Sequence, residues 1–126
     1  MQREAGQSSV STGRRLLSAL LTHLPGAWIQ PSNRELKSLY RVHYERALAE
    51  QRYDSAMIFL NKMLEADPHD LEARLLVGEL YHRHLHDYDR AVEQYNKVLR
   101  LTSGVRSSPI HTRARVSLSE LIELLS

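Results

Sequence analysis

The sequence YDSAMIFLNKML at residues 53–64 returns at residues 88–99 as YDRAVEQYNKVL. Six of the twelve positions are identical, each displaced by 35 residues. A period of about 35 residues is typical of helical hairpins that stack side by side, because one hairpin cannot bury its apolar face alone. The repeat therefore predicts an all-α array, and such an array favours holding another protein over converting a substrate.

The second copy carries the more complete motif. Val77, Gly78 and Tyr81 place an aliphatic, a small and an aromatic residue along its first helix. Ala91 and Tyr95 place a small and an aromatic residue along its second helix. This pattern resembles the tetratricopeptide repeat, a helix-turn-helix unit of about 34 residues.

The first copy matches the same family less completely. The matching residues are Tyr40, Ala56, Leu60 and Pro68. The departures are His43, Tyr44 and Ala47, which stand where the family has a leucine, a small residue and an aromatic residue. Arg74 and Ser103 depart in the second copy, at the opening aromatic and the terminal proline. The resemblance covers residues 37–104.

The resemblance implies a right-handed superhelical array of antiparallel helix hairpins, with capping helices at both ends. We expect a repeat domain at 32–126, with repeats at about 37–70 and 71–105 and a closing helix at about 109–125. Residues 82–87 hold one residue more than the usual turn between paired helices, which explains the period of 35. The closing helix either covers the end of the array or marks the point where a longer protein was cut.

The N-terminal region differs from the repeats. Residues 1–13 are rich in Ser, Gln and Gly and predict a disordered leader. Residues 14–31 predict an amphipathic helix and a linker, because Leu16, Leu17, Leu20, Leu21 and Leu24 form one helical stripe. We favour docking of this helix on the first repeat. The alternatives are a helix lying on a membrane surface and the end of a targeting segment.

Composition excludes several classes of protein. A chain of 126 residues with 42% hydrophobic residues forms one domain with a core, and no apolar run is long enough to span a membrane. The net charge of +2 comes entirely from residues 1–30, so the repeats offer no basic patch for nucleic acid. The absence of cysteine excludes disulfides and thiol chemistry. We expect a cytoplasmic protein or the soluble part of a membrane-associated one.

Candidate catalytic and metal-binding residues are few. His82 and His86 lie one helical turn apart and could share a metal ion, while His84 points elsewhere. The favoured interpretation is a solvated helix end, where histidines suit the negative pole of the helix dipole. No glycine-rich phosphate loop and no nucleophile motif is present. We therefore predict neither a metal nor a cofactor, and no enzymatic activity.

In tetratricopeptide repeat proteins the first helix of each unit faces a concave groove. The resemblance implies that the groove carries both charges around an apolar strip, suited to a peptide or a helix of a partner protein. Its predicted residues are Arg41, Val42, Glu45, Leu75, Leu76, Glu79, His82, Arg83, Arg113 and Glu120. The family members that grip acidic chaperone tails use a Lys and two Asn, where this chain has Arg41, Glu45 and Leu76, so that partner is disfavoured.

The predicted function is that of an adaptor, an assembly factor or a chaperone-like subunit. Two alternatives remain. The exposed end of the array could pair with a second copy of the chain, or the chain could be a regulatory or membrane-anchoring domain of a longer protein, attached through residues 14–24.

Overall fold

The computed structural model describes residues 31–126, and all regular structure in that range is helical. The five helices are α1 Asn33–Ala49, α2 Tyr53–Ala66, α3 Leu71–Leu80, α4 Tyr88–Leu101 and α5 Pro109–Leu125. A π-helical turn, Tyr81–Leu85, extends α3. The predicted all-α class is thereby confirmed. The predicted leader and N-terminal helix fall on residues 1–30, outside the described range.

The helices pack as antiparallel neighbours in chain order. α1 packs on α2 and α3 packs on α4, and α5 follows against both α4 and α3. Side-chain caps satisfy free backbone N–H groups where three of these helices begin. Asp70 accepts from Ala73 N at 3.0 Å at the start of α3, and Ser108 accepts from His111 N at 3.1 Å at the start of α5. Asp87 caps α4 in the same way.

α3 lies at the centre of the packing and contributes to two apolar clusters. The first joins α1, α2 and α3; its buried residues are Tyr44, Ala47, Ala56, Leu60, Met63, Ala73, Leu76, Val77 and Leu80. The second joins α3, α4 and α5; its buried residues are Leu75, Ala91, Tyr95, Val98, Ala114 and Leu121. A helix that serves two clusters must be apolar around most of its circumference. Six of the ten residues of α3 are accordingly buried.

Small residues allow the paired helices to approach closely. Ala56 in α2 and Ala91 in α4 are both fully buried. Gly78 imposes the strictest limit, because a Cβ atom there would lie 2.9 Å from Cε1 of Tyr95 and 3.2 Å from Cβ of Gln94. The ring of Tyr95 is itself fully buried, so shifting it would disturb the packing around it. The contact between α3 and α4 therefore favours glycine at position 78.

The residue that lengthens the second repeat lies inside a helix. In the first hairpin the N–H of Arg52 donates to the carbonyl of Ala47 at 2.8 Å. In the second, the N–H of Asp87 donates to the carbonyl of Tyr81 at 2.9 Å and spans one residue more. The π turn Tyr81–Leu85 absorbs this residue, because its hydrogen bonds span five residues instead of four.

The two turns themselves are alike. Gln51 and His86 both adopt left-handed backbone conformations, with φ of 58° and 54°. Each is followed by a single residue before the next helix begins at Tyr53 or Tyr88. The prediction of a longer turn within residues 82–87 is thus corrected. Equivalent residues are 34 positions apart before the π turn and 35 positions apart after it.

Candidate interaction surface

Charged side chains join the first helices of successive hairpins, α1 and α3. Nη2 of Arg41 lies 3.1 Å from Oε2 of Glu72, across the two helices. Nη1 of the same arginine lies 3.9 Å from Oε1 of Glu45, one turn further along α1. Arg41 therefore links Glu45 of α1 to Glu72 of α3 on one side of the two helices.

Two further ion pairs join α3 to α5. Nε of Arg113 donates to Oε2 of Glu79 at 2.9 Å, and Nη2 donates to the other carboxylate oxygen. This fork-shaped pair raises the pKa of the Arg113 guanidinium, chiefly through the hydrogen bonds from Glu79. Nη2 of Arg83 donates to Oε2 of Glu120 at 3.0 Å.

The surface of α1, α3 and α5 that carries these pairs is called the inner face below. Its charged residues are Arg41, Glu45, Glu72, Glu79, Arg83, Arg113 and Glu120.

Three predicted groove residues are buried. Leu75 is fully buried in the second apolar cluster, and Leu76 is 9% exposed in the first. His82 is 7% exposed. The correction has a common cause. These positions on α3 and its π turn face neighbouring helices, so a ligand on the inner face cannot reach them without repacking the core.

His82 takes part in a buried polar contact. Its Nδ1 lies 2.9 Å from the hydroxyl of Tyr95, with which it shares a hydrogen bond. Burial lowers the pKa of His82, and the charge of Arg83 lowers it further. Burial likewise raises the pKa of Tyr95 to about 12. Both groups are therefore neutral near pH 7, which suits an interior contact.

The other two histidines of this segment have different neighbours. His84 stacks on Tyr53 with ring centroids 4.5 Å apart, and Nδ1 of His86 lies 3.2 Å from the hydroxyl of Tyr88. Within residues 31–126 no group of three His, Cys, Asp or Glu side chains is placed to hold a metal ion.

The inner face also offers apolar surface. Val42 on α1 is 52% exposed and Val116 on α5 is 48% exposed. Between α1 and α3 lies a shallow recess of about 350 Å³, lined by Lys37, Ser38 and Arg41 from α1 and by Glu72 from α3. The exposed valines and the recess are the parts of this face where a bound side chain could lose contact with water.

Comparison with known protein families agrees with this architecture. A profile of the tetratricopeptide repeat matches residues 47–104, from the end of α1 to the turn after α4. This part of the chain belongs to the tetratricopeptide repeat family. Tetratricopeptide repeats generally mediate protein–protein interaction and are typically non-enzymatic. No curated protein and no solved structure matches the chain. Among the described helices, none has the length and apolar character needed to cross a membrane.

The sequence analysis did not single out Lys37, whose side chain joins the first hairpin to the start of the second. Nζ of Lys37 lies 2.9 Å from Oδ2 of Asp67 and 3.1 Å from Oδ2 of Asp70. The hydrogen bond with Asp67 is the main cause of a raised pKa for Lys37, and the same bond lowers the pKa of Asp67. Asp70 already caps α3, so Lys37 connects α1 to the start of the next repeat. A signal was present in the sequence, since two carboxylates precede α3.

Proposed function

We propose that this tetratricopeptide repeat domain is a protein-interaction module whose inner face holds a peptide or a helix of a partner protein. Its role would be that of an adaptor, an assembly factor or a chaperone-like subunit. The ion pairs that join α1 to α3 and α3 to α5 support the proposal most directly. They hold the first helices and their side chains in place before a partner arrives, so less conformational entropy is lost on binding.

The charge of the inner face narrows the chemistry of the ligand. It carries three cationic and four anionic side chains, and each is engaged with one of opposite sign. A strongly acidic segment would find no excess of opposite charge, and a strongly basic one would find an excess of a single carboxylate. A carboxylate grip is also poorly supported, because Glu45 is acidic and Leu76 is buried at the positions where the family uses polar donors.

The exposed apolar residues suggest what binds instead. Val42 and Val116 lie on α1 and α5, on either side of α3, and each is about half exposed. A segment with apolar side chains spaced along an extended or helical backbone would cover both and place a side chain in the recess beside Arg41. Mixed charges flanking those side chains would match the alternating charges of the inner face.

A peptide library displayed on phage and selected against the intact chain provides the test. The enriched peptide is titrated against the wild type and against Val42→Asp. Aspartate at this half-exposed position should leave the fold intact but weaken binding by at least about tenfold. The matched control is Ile58→Asp, since Ile58 is 54% exposed on α2, outside the inner face.

Retained affinity in both variants would overturn the proposal, as would equal loss in both. Failure to enrich any peptide would also count against it. Circular dichroism of both variants must match the wild type, so that a loss of binding reports on the surface and not on folding.

A further inference from the structure

α5 repeats the burial pattern of α3 on one side only. Ala114, Ser117 and Leu121 are buried, and they lie 41 positions after the buried Ala73, Leu76 and Leu80 of α3. At the same offset, Val116 corresponds to Leu75 and Ser119 corresponds to Gly78. Leu75 and Gly78 are covered by neighbouring helices, whereas Val116 and Ser119 are exposed.

α5 therefore has an exposed stripe at the positions that correspond to the helix-packing surface of α3. The residues of this outer stripe are Arg115, Val116, Ser119, Ile122 and Glu123, all of them exposed. Ser119 lies at its centre, and a small residue there permits a close approach of another helix. Val116 and Ile122 are 48% and 53% exposed and flank it at three residues on either side.

We propose that the outer stripe docks against the same stripe of a second copy of this chain, as an antiparallel α5–α5 pair with Ser119 on the two-fold axis. In such a pair, residues equally far from Ser119 in opposite directions face each other across the axis. Val116 of one copy then meets Ile122 of the other. Arg115 meets Glu123, each about 6 Å along the helix from the crossing point.

Charge complementarity favours a second copy of the chain as the partner of the outer stripe. Two other charged residues of α5 already have partners within the chain, because Arg113 pairs with Glu79 and Glu120 pairs with Arg83. Arg115 and Glu123 form no ion pair with any residue in the described part of the chain. A two-fold axis at Ser119 supplies both with a partner of opposite charge, twice per dimer, whereas a parallel pairing would place like charges together.

The size of the contact sets its strength. One helix pair with two apolar residues per copy buries less than the roughly 1,200 Å² at which stable interfaces begin. The dimer is therefore weak and reversible, and it forms at high protein concentration. Val116 borders both the inner face and the outer stripe. The variants that test the two interactions share no residue, however, so failure of one proposal is distinguishable from failure of the other.

Sedimentation equilibrium of the 126-residue chain from about 10 μM to about 1 mM tests the pairing. The mean mass should rise from the monomer value of 14.5 kDa toward twice that value. Arg115→Glu and Glu123→Arg each place like charges opposite each other at two sites, and each should weaken dimerisation by at least about tenfold. The double variant R115E/E123R restores both pairs with exchanged signs and should dimerise like the wild type.

Lys97→Glu is the matched control, because it makes the same charge change at an exposed position of α4. A wild type that stays monomeric throughout would overturn the proposal. So would a dimer that tolerates the single reversals, or a double variant that fails to recover, since another surface or another occupant would then be responsible. Unchanged thermal unfolding of all variants shows that the readout is association.

Discussion

The two hairpins, α1–α2 and α3–α4, have the same architecture. They differ in which positions carry large and small side chains where their paired helices meet. Gly78 of α3 corresponds to Tyr44 of α1, and Tyr95 of α4 corresponds to Leu60 of α2. The second hairpin thus sets the smallest residue against a large aromatic ring, while the first combines a large aromatic with an aliphatic residue. All four are buried.

One turn further along, the sizes are exchanged again. Ala47 is fully buried in α1, and its counterpart is the half-buried Tyr81, the first residue of the π turn that extends α3. The first helix of each hairpin therefore carries one large aromatic and one small residue, in opposite order. The comparison indicates that both hairpins fill the space between their paired helices with a large aromatic side chain. The sequence position that carries this side chain differs between them.

The largest expected effect is the loss of the aromatic ring from the second hairpin. Tyr95→Ala should lower the free energy of unfolding by about 3–5 kcal/mol for the cavity, with about 1–3 kcal/mol more because His82 loses its buried partner. Leu60→Ala at the equivalent position should cost about 2–5 kcal/mol, with no polar group left unpaired. Urea denaturation of both variants measures the difference. A larger loss for Leu60→Ala would contradict the asymmetry of the two hairpins.

An intermediate effect is expected at Gly78, and its sign should depend on Tyr95. In the wild type, Gly78→Ala forces a methyl group against the fixed ring and should cost about 1–3 kcal/mol, less the gain in helix propensity of about 1 kcal/mol. In a Tyr95→Leu background, which copies the first hairpin, the ring is gone and the propensity gain remains. Gly78→Ala should then be neutral or stabilising.

The double-mutant cycle isolates this coupling from the effect of either change alone. The same cost of Gly78→Ala in both backgrounds would show that the ring is not what excludes a side chain at position 78.

The smallest effect concerns pH. The first hairpin has Leu48 where the second has His82, so this buried titratable group is particular to the second hairpin. Burial lowers the pKa of His82 in the folded protein below its ordinary value of 6.5. As the pH falls through 6.5, the unfolded chain binds the proton first, so the free energy of unfolding should decrease until the folded pKa is passed.

Urea midpoints measured from about pH 7.5 to about pH 5 test this contribution. The wild type is compared with His82→Leu/Tyr95→Phe, in which neither polar group is left unpaired. The double variant should lose less stability on acidification, because it lacks the buried histidine and is otherwise the same chain. Parallel pH profiles would show that His82 does not contribute.

Much of the fold could be predicted from the sequence because the hairpin motif occurs twice in it. The recurrence of residues 53–64 at 88–99 identified the second helices of both hairpins, and Pro109 indicated where α5 begins. The family resemblance assigned Arg41, Glu79 and Arg113 to the groove. The structure shows that Arg41 joins α1 to α3 and that Glu79 and Arg113 join α3 to α5 through ion pairs. That these residues form a binding groove stays a prediction.

The rest depended on contacts between residues far apart in the chain. The family resemblance assigned Leu75, Leu76 and His82 to the groove. In this chain, α3 and its π turn pack against neighbouring helices, and these three side chains are buried there. The π turn could not be predicted from the sequence either. One added residue can be accommodated by a longer turn or by a wider helix, and only the packing between the paired helices decides between these two.

The sequence by itself determined that this chain forms stacked helical hairpins, because a repeated amphipathic unit must cover its apolar face with its neighbours. The tertiary structure alone decided which polar residues meet. Arg41 pairs with Glu72 and Arg113 pairs with Glu79 over separations of 31 and 34 residues. Such contacts depend on how the hairpins lie against each other, and the periodicity of a single helix contains no information about that arrangement.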